Sequence, residues 1–432
     1  MNIVFAHSDD LVVPLLAEWL NFVDVVRLDM ACALSHRERE NLDRIFALPQ
    51  AAFKNGKHLL NGFTLDSRRY ISWLLRRKVK LVEIDIAPNV IGEWCLIEKY
   101  ISLCGPVVRS IDFNVYNSQL MSATMNSCSH LRKLSIDNAA DIEKDCVLFS
   151  DTVETFYLAE SGMMSNNISI KFPNLIDLTI VGSGVSDSVF VGIVQHSPKL
   201  QRLQFDDAKG LSAVSFASIG QHCRSLDRLF VYDMPFSSAY LLHILPCTPL
   251  LKELVLCYHE DELDEKDVFE SVTSHCPVLT NLTLRNCTNE PRAIALTAFT
   301  AMLTRCVHLR TLSLDACRFV TDDYLLAIAS NATEITNLFL SECNVSSTGL
   351  VEVAKSCAKL ERISFSTGRA YSTTDADKLL FHTETTVEVT PVNDMFGGVF
   401  FHAGGGFPFS FGGGGFGFDG GGVDSESSGD EE

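Results

Sequence analysis

One apolar template dictates what this chain can fold into. The pattern L-x-x-L-x-L, with Ile, Val or Phe standing in for Leu, starts at Leu81, Val108, Leu131, Val153, Leu175, Leu200, Leu226, Leu251, Leu279, Leu309, Ile335 and Leu360. The first and last starts lie 279 residues apart, a mean step near 25 over eleven steps. A unit of that length is one supersecondary element that cannot bury its apolar side alone, so neighbouring units must stack and share a core.

The fuller units contain a strand, a turn and a helix. In LRTLSLDACRFVTDDYLLAIA, Leu309, Leu312 and Leu314 set apolar side chains on one side of a short strand, after which Leu325, Ile328 and Ala329 follow helical spacing. The change of period marks the turn, and Thr321 with Asp322 supplies residue types that open helices. ITNLFLSECNVSSTGLVEVAKSCAKL repeats the order with Leu338 and Leu340, then Leu350, Val353 and Ala354. Cysteine keeps step with the template: Cys287, Cys317 and Cys343 follow strands, while Cys128, Cys223, Cys276, Cys306 and Cys357 lie three residues before a strand start. The first twenty residues lack the basic start and unbroken apolar run of an export signal, so the 14 cysteines are expected in a reducing compartment. There they serve as small core hydrophobes, against the alternatives of disulfide, redox or metal use. No Cys-x-x-Cys pair occurs, and no zinc module is expected.

These units resemble the cysteine-containing leucine-rich repeats of F-box substrate receptors and related proteins, most fully over residues 175–368. Cys276-Pro277-Val278-Leu279 matches the segment that opens a strand in that subclass. The expected fold is α/β, a leucine-rich-repeat solenoid or horseshoe whose parallel strands line a concave surface and whose helices cover the convex side. Between the core positions, Tyr157, Gln204, Phe230 and Phe339 precede the third apolar residue, Arg202 and Arg228 precede the second, and Tyr232 and Arg285 come just after the third. Aromatic and Arg side chains dominate protein interfaces, so these residues form the expected partner-binding site; the alternative is aromatics covered by an adjacent loop.

Residues 10–46 read as a small helical unit. Val12, Leu15, Leu16, Trp19, Leu20 and Val23 fall at helical spacing, and Asp24 is placed to cap a second helix carrying Val25, Leu28, Ala31 and Cys32. Val13-Pro14, Asp24-Val25 and Ala31-Cys32 fall at the offsets of an F-box, which this segment resembles, although Ser35 stands where that motif has Trp. The resemblance implies adaptor contact through Pro14, Leu16, Trp19, Leu20, Asp24, Val25 and Leu28. The protein would then be the substrate-recognition subunit of an SCF-type cullin-RING ubiquitin ligase, with adaptor and cullin as partners and a protein target on the concave face. The alternative is a non-ligase interaction scaffold whose first helices only cap the solenoid, since an open stack must cover its ends.

The expected organisation is an F-box-like segment at 1–50, a helical connector and cap at 51–80, a solenoid of about twelve repeats at 81–391, and a tail at 392–432. The connector carries Phe63, Leu65, Ile71, Trp73, Leu74 and Leu75. It is locally basic through Lys54, Lys57, Arg68, Arg69, Arg76, Arg77, Lys78 and Lys80, as either a solvated face or an attractor for an acidic helix. The stretch Glu260–Glu270 reads as solvated acid opening its own loop or helix. A last short strand is expected at Val387 and Val389, and the Gly/Phe-rich, acidic tail is expected to be disordered.

Thirty-five Lys and Arg against 54 Asp and Glu leave a net charge of −19, so the surface repels phosphate backbones and anionic lipid. Neither nucleic acid nor a membrane is an expected partner. No nucleophile elbow, metal-helix motif or kinase signature appears, and a linear stack brings together mainly neighbouring repeats. No catalytic residue, metal or cofactor is therefore expected, and the cytoplasm or nucleus is the expected location. A small-molecule or inositol-phosphate sensor would require Arg109, Arg132, Lys133, Arg202 and Arg228 to converge.

Overall fold

The structure is a computed structural model that describes residues 20, 22–33, 35–48, 51–53, 67–86, 93–138, 142, 146–159, 168–257, 264–285, 293–366 and 386–389. The expected tail at 392–432 lies outside the described residues, as does Cys287. The strands are β1 (Ala52–Phe53), β2 (Lys80–Leu81), β3 (Glu83–Ile86), β4 (Ser110–Phe113), β5 (Lys133–Ile136), β6 (Val147–Phe149), β7 (Thr155–Ala159) and β8 (Ser169–Lys171). They continue as β9 (Asp177–Val181), β10 (Arg202–Asp206), β11 (Arg228–Tyr232), β12 (Glu253–Cys257), β13 (Asn281–Arg285), β14 (Thr311–Asp315), β15 (Asn337–Ser341), β16 (Arg362–Ser366) and β17 (Thr386–Val389).

Each template start is followed two residues later by a strand, and these strands form one parallel sheet of thirteen with β17 at its end. The reason is the pleat. Alternate residues point to opposite faces, so the second and third apolar positions enter the same side, and Leu229, Val231, Leu254, Leu256, Leu312 and Leu314 are fully buried. Helices return the chain behind the sheet, and their apolar stripes, such as Leu325 with Ile328 and Leu350 with Val353, close the core from that side. The result is a leucine-rich-repeat solenoid.

Two units depart from the strand, turn and helix order. The steps from Leu131 to Val153 and from Val153 to Leu175 contain β6 and β8, which pair in parallel apart from the main sheet. Extended chain covers about 3.3 Å per residue and helix about 1.5 Å, so a shorter unit returns more readily as strand. The connector also differs from the helical expectation: β1 pairs with β2, and the helix Ser67–Arg77 lies between them in sequence.

The cysteines that keep step with the template in the described repeats are buried, unlike the exposed Cys95 and Cys247. Cys223, Cys276 and Cys317 are fully buried, and burial pushes the Cys223 and Cys276 thiols up to about 12. Such thiols stay protonated and unreactive at neutral pH. Cys343 donates to the Leu314 carbonyl at 2.8 Å and Cys317 to the Leu284 carbonyl at 3.4 Å, so each post-strand thiol bonds back to the preceding repeat.

Thr321 occupies a helix N-cap position but its side chain makes no capping bond. Its neighbour Asp322 instead reaches the next repeat, accepting from the Ser346 amide at 2.7 Å and its hydroxyl at 2.5 Å. Asp187 does the same earlier in the stack, accepting from the Ser212 amide at 2.8 Å, the Ser212 hydroxyl at 2.6 Å and the Ser215 hydroxyl at 2.5 Å. Partial burial works to raise the Asp187 carboxyl, but these hydrogen bonds outweigh it and hold the group below the ordinary carboxylate range. Asp187→Ala should remove about 2 kcal/mol of stability at neutral pH. A depressed carboxyl contributes above its unfolded pKa of roughly 3.9 and loses that contribution as pH falls through the folded value. The wild-type advantage in thermal melts should therefore hold at pH 7 and shrink below about pH 4; a constant difference across that range would remove the latch from the account.

The first described helix, Phe22–Cys32, begins before Asp24, which lies within its first turn and pairs with Arg27 at 3.4 Å instead of capping a helix. Ser35 caps the next helix, His36–Ala47, accepting from the Glu38 amide at 3.4 Å. Both helices are bound to Ser67–Arg77 through Asp29, which is 7% exposed. Asp29 accepts from the Trp73 indole at 3.0 Å, pairs with Arg77 Nε at 3.2 Å and bonds Arg39. The basic connector is thus partly internal: Arg77 also pairs with Asp43 at 3.0 Å, and Lys80 donates to the Leu48 carbonyl at 2.8 Å. The acidic stretch likewise has an inner member, since Glu265 is fully buried in the first turn of the helix Glu265–His275.

Candidate functional site

The same pleat that buries the leucines presents the intervening residues on the opposite face of the sheet. Register aligns them in rows, with Arg202, Arg228 and Glu253 in one, Gln204, Phe230 and Val255 in the next, and Asp206, Tyr232 and Cys257 in a third. Phe230, Val255 and Cys257, which are 9%, 6% and 4% exposed, form a largely buried apolar cluster of their own on this face, with the half-buried Tyr232 packed against it, separate from the main core. The Phe230 and Tyr232 rings run nearly parallel, 15° apart in plane with centroids 6.4 Å apart.

A guanidinium covers one side of this island. Arg202 Cζ stands 4.8 Å from the Phe230 ring centroid, a cation–π distance, while its nitrogens donate to both Asp177 oxygens at 3.0 and 3.1 Å and to Gln204 Oε1 at 2.6 Å. The group is held in one orientation before any partner arrives, which lowers the ordering cost of using it in a contact.

Of the eight open-face residues expected from sequence, Arg202, Gln204, Phe230 and Tyr232 meet directly. Arg228 shares the Arg202 row but turns its Nε toward Asp227 at 3.7 Å, and Arg285 is the register partner of Cys257. Tyr157 lies on β7, separated from β10 by β9, and Phe339 lies on β15 beneath Arg362 at 5.6 Å. Val255 and Cys257 were hidden in the apolar run LVLC, which reads as continuous core; strand parity separates them from Leu254 and Leu256.

Of the five cations of the small-molecule reading, Lys133, Arg202 and Arg228 share one row of the open face and all act on Asp177. Arg132 pairs with Glu154 at 2.8 Å, Lys133 faces Asp112 at 3.8 Å, and Arg202 and Arg228 have Asp177 and Asp227. Four of these charges thus each have a carboxylate of the protein within reach.

The adaptor-binding expectation also changes. Pro14, Leu16 and Trp19 lie outside the described residues. Val25 is fully buried, and Leu20 and Leu28 pack against the core, so these side chains attach their helix to the rest of the protein. A side chain without exposure cannot meet an adaptor, and Val25 is removed from that surface. On the same helix Met30 is 69% exposed.

No known family profile matches the chain, and no curated protein matches it. Among solved structures, it is similar to a chain of the Rad7 and Elc1 complex of yeast at 12% identity, over 76% of this chain and 94% of that one, with a TM-score of 0.41. It is also similar to the leucine-rich repeat-containing protein LegL7 of Legionella pneumophila at 13% identity, over 59% and 86%, with a TM-score of 0.36. A chain of the Toll–Spatzle complex of Drosophila matches at 12% identity, over 79% and 51%, with a TM-score of 0.36.

Proposed function

We propose that this chain is a protein-recognition subunit that holds a protein partner on the open face of its sheet, centred on β10 to β13. The observation that carries this reading is the Phe230, Tyr232, Val255 and Cys257 island outside the core, with Arg202 fixed beside it. Stacked aromatics next to an oriented guanidinium are the side chains on which interface energy concentrates. The proposal includes no catalytic step. Proteins retained by the full chain should be lost, or weakened by roughly 30-fold or more, in Phe230→Ala/Tyr232→Ala, read well below the variant's lowered melting temperature because truncating the buried Phe230 ring also costs about 3 kcal/mol. Retention of every partner by the folded double variant would remove this face from the proposal.

The finer reading is a receptor subunit of an SCF-type ligase in the cytoplasm or nucleus. It is supported by the F-box-like residues ahead of the repeats, and its contact surface would comprise residues 1–19 and the exposed side of Phe22–Cys32 around Met30. Adaptor and cullin subunits should co-purify with the full chain and be lost on Met30→Asp. An intact chain that recovers neither is instead a scaffold whose first helices close the solenoid.

A further inference from the structure

Beside the apolar island the third row of the open face changes character. Asp206 is the register partner of Val181 on one side and Tyr232 on the other, and Val181 is the partner of Ala159. One residue past the Ile136–Leu158 pair, Asp137 falls opposite Ala159. Two small or apolar residues therefore floor a trough between two carboxylates, which stand three strand spacings apart, about 14 Å. Tyr157, one row over on β7, sits in the fields of both acids.

Among the described residues both carboxylates sit in unfavourable surroundings. Asp137 is pushed up to about 6 by burial and by Asp112, and Asp206 is raised by burial and by Asp233 and Asp207. Among the described residues no cation or hydrogen-bond donor offsets either shift, and Asp137 Oδ1 is buried without a hydrogen-bond partner there. Elsewhere on the same face acids are satisfied: Asp177 has Arg202, Asp112 has Lys133, and Asp315 accepts from Ser313 and the Ser341 amide. Leaving two acids unmatched beside a tyrosine costs stability, and a cation brought against either carboxylate would recover part of it. Carboxylates about 14 Å apart cannot ligate one metal ion, whose oxygen ligands lie within about 2.6 Å, so the cation that fits is one carried on a long organic side chain.

We propose that the trough between Asp137 and Asp206, floored by Ala159 and Val181 and bordered by Tyr157 and Tyr232, receives a lysine or arginine side chain of the protein partner. This rests on the reading of the open face as the recognition surface and deepens it. The partner presents a basic residue to the trough and an aromatic or aliphatic residue to the neighbouring island. Its aliphatic stem lies on the Ala159 and Val181 floor while its charged end meets a carboxylate.

The test is selection of a displayed random-peptide library on the full chain at physiological salt. Peptides that bind wild type but not Phe230→Ala/Tyr232→Ala should carry Lys or Arg within a few residues of an apolar anchor. Asp137→Asn/Asp206→Asn should weaken those peptides about tenfold, and acetylating the peptide lysine should give the same loss. The Asn substitutions keep side-chain shape and remove repulsion, so the variant should melt at the same or a higher temperature. Peptides that depend on Phe230 and Tyr232 yet show no excess of basic residues, or that bind the Asn variant equally, overturn the basic subsite and leave the recognition face standing. Failure to obtain any peptide that depends on Phe230 and Tyr232 overturns both.

Discussion

Replacing Asp29 by Ala is expected to cost about 3 to 5 kcal/mol. At 7% exposure the carboxylate is the junction of three helices, bonded to the Trp73 indole at 3.0 Å, paired with Arg77 at 3.2 Å and in contact with Arg39. Without it, the Arg39 guanidinium and the Trp73 indole N–H lose this acceptor in a poorly solvated place, Arg77 keeps only Asp43, and the two guanidinium groups repel. In a stack where each repeat touches its neighbours, that loss should stay near its source. Hydrogen exchange should show Phe22–Cys32 and His36–Ala47 losing protection while β10 to β15 keep theirs. Uniform loss along the chain would mean that the cap and the repeats unfold as one unit. Asp29→Asn, which retains one acceptor for Trp73 but no charge, should fall between the two. Release of the cap should also leave capture through Phe230 and Tyr232 intact, because the two sites lie in different parts of the stack.

Gly220→Ala is expected to destabilise by about 3 kcal/mol, opposite in sign to the same change in an ordinary exposed helix, where Ala is favoured by about 1 kcal/mol. Gly220 lies within the helix Ala213–His222 and is buried, and a Cβ added there would come within 2.2 Å of the His243 carbonyl oxygen. That atom belongs to the backbone of the next repeat and cannot swing aside as a side chain would, so the repeats must separate. Denaturant unfolding settles the sign: a variant as stable as wild type would show that adjacent helices are not in backbone contact. Gly105 makes a comparable approach, with a Cβ 2.6 Å from the Ser127 carbonyl oxygen, which marks close helix stacking as a recurring device.

Much of this architecture was legible from one dimension. The spacing of Leu309, Leu312 and Leu314 specifies a strand with one buried side, and the same template twelve times over specifies a stack, because neither property depends on anything beyond the unit and its neighbour. Cys317 and Cys343 could be placed in the core for the same reason. The open face was only half legible. Phe230 and Tyr232 stand out as aromatics between leucines, whereas Val255 and Cys257 differ from core residues only in which way the pleat turns them.

Charge was the least legible. Arg77 and Lys80 look like a basic surface, and Asp24 looks like a helix cap, until the fold places Arg77 against Asp29 and Asp43, Lys80 against the Leu48 carbonyl, and Asp24 beside Arg27. Likewise nothing in the chain order distinguishes Asp177, which pairs with Arg202, from Asp206, which no cation among the described residues meets. The sequence alone thus determined the repeat, the strand positions and the buried side of each strand, since hydrophobic period acts over a few residues. Tertiary structure alone decided which charges pair, which helices the first segment holds, and which open-face side chains meet, because those depend on the register of strands some 25 residues apart.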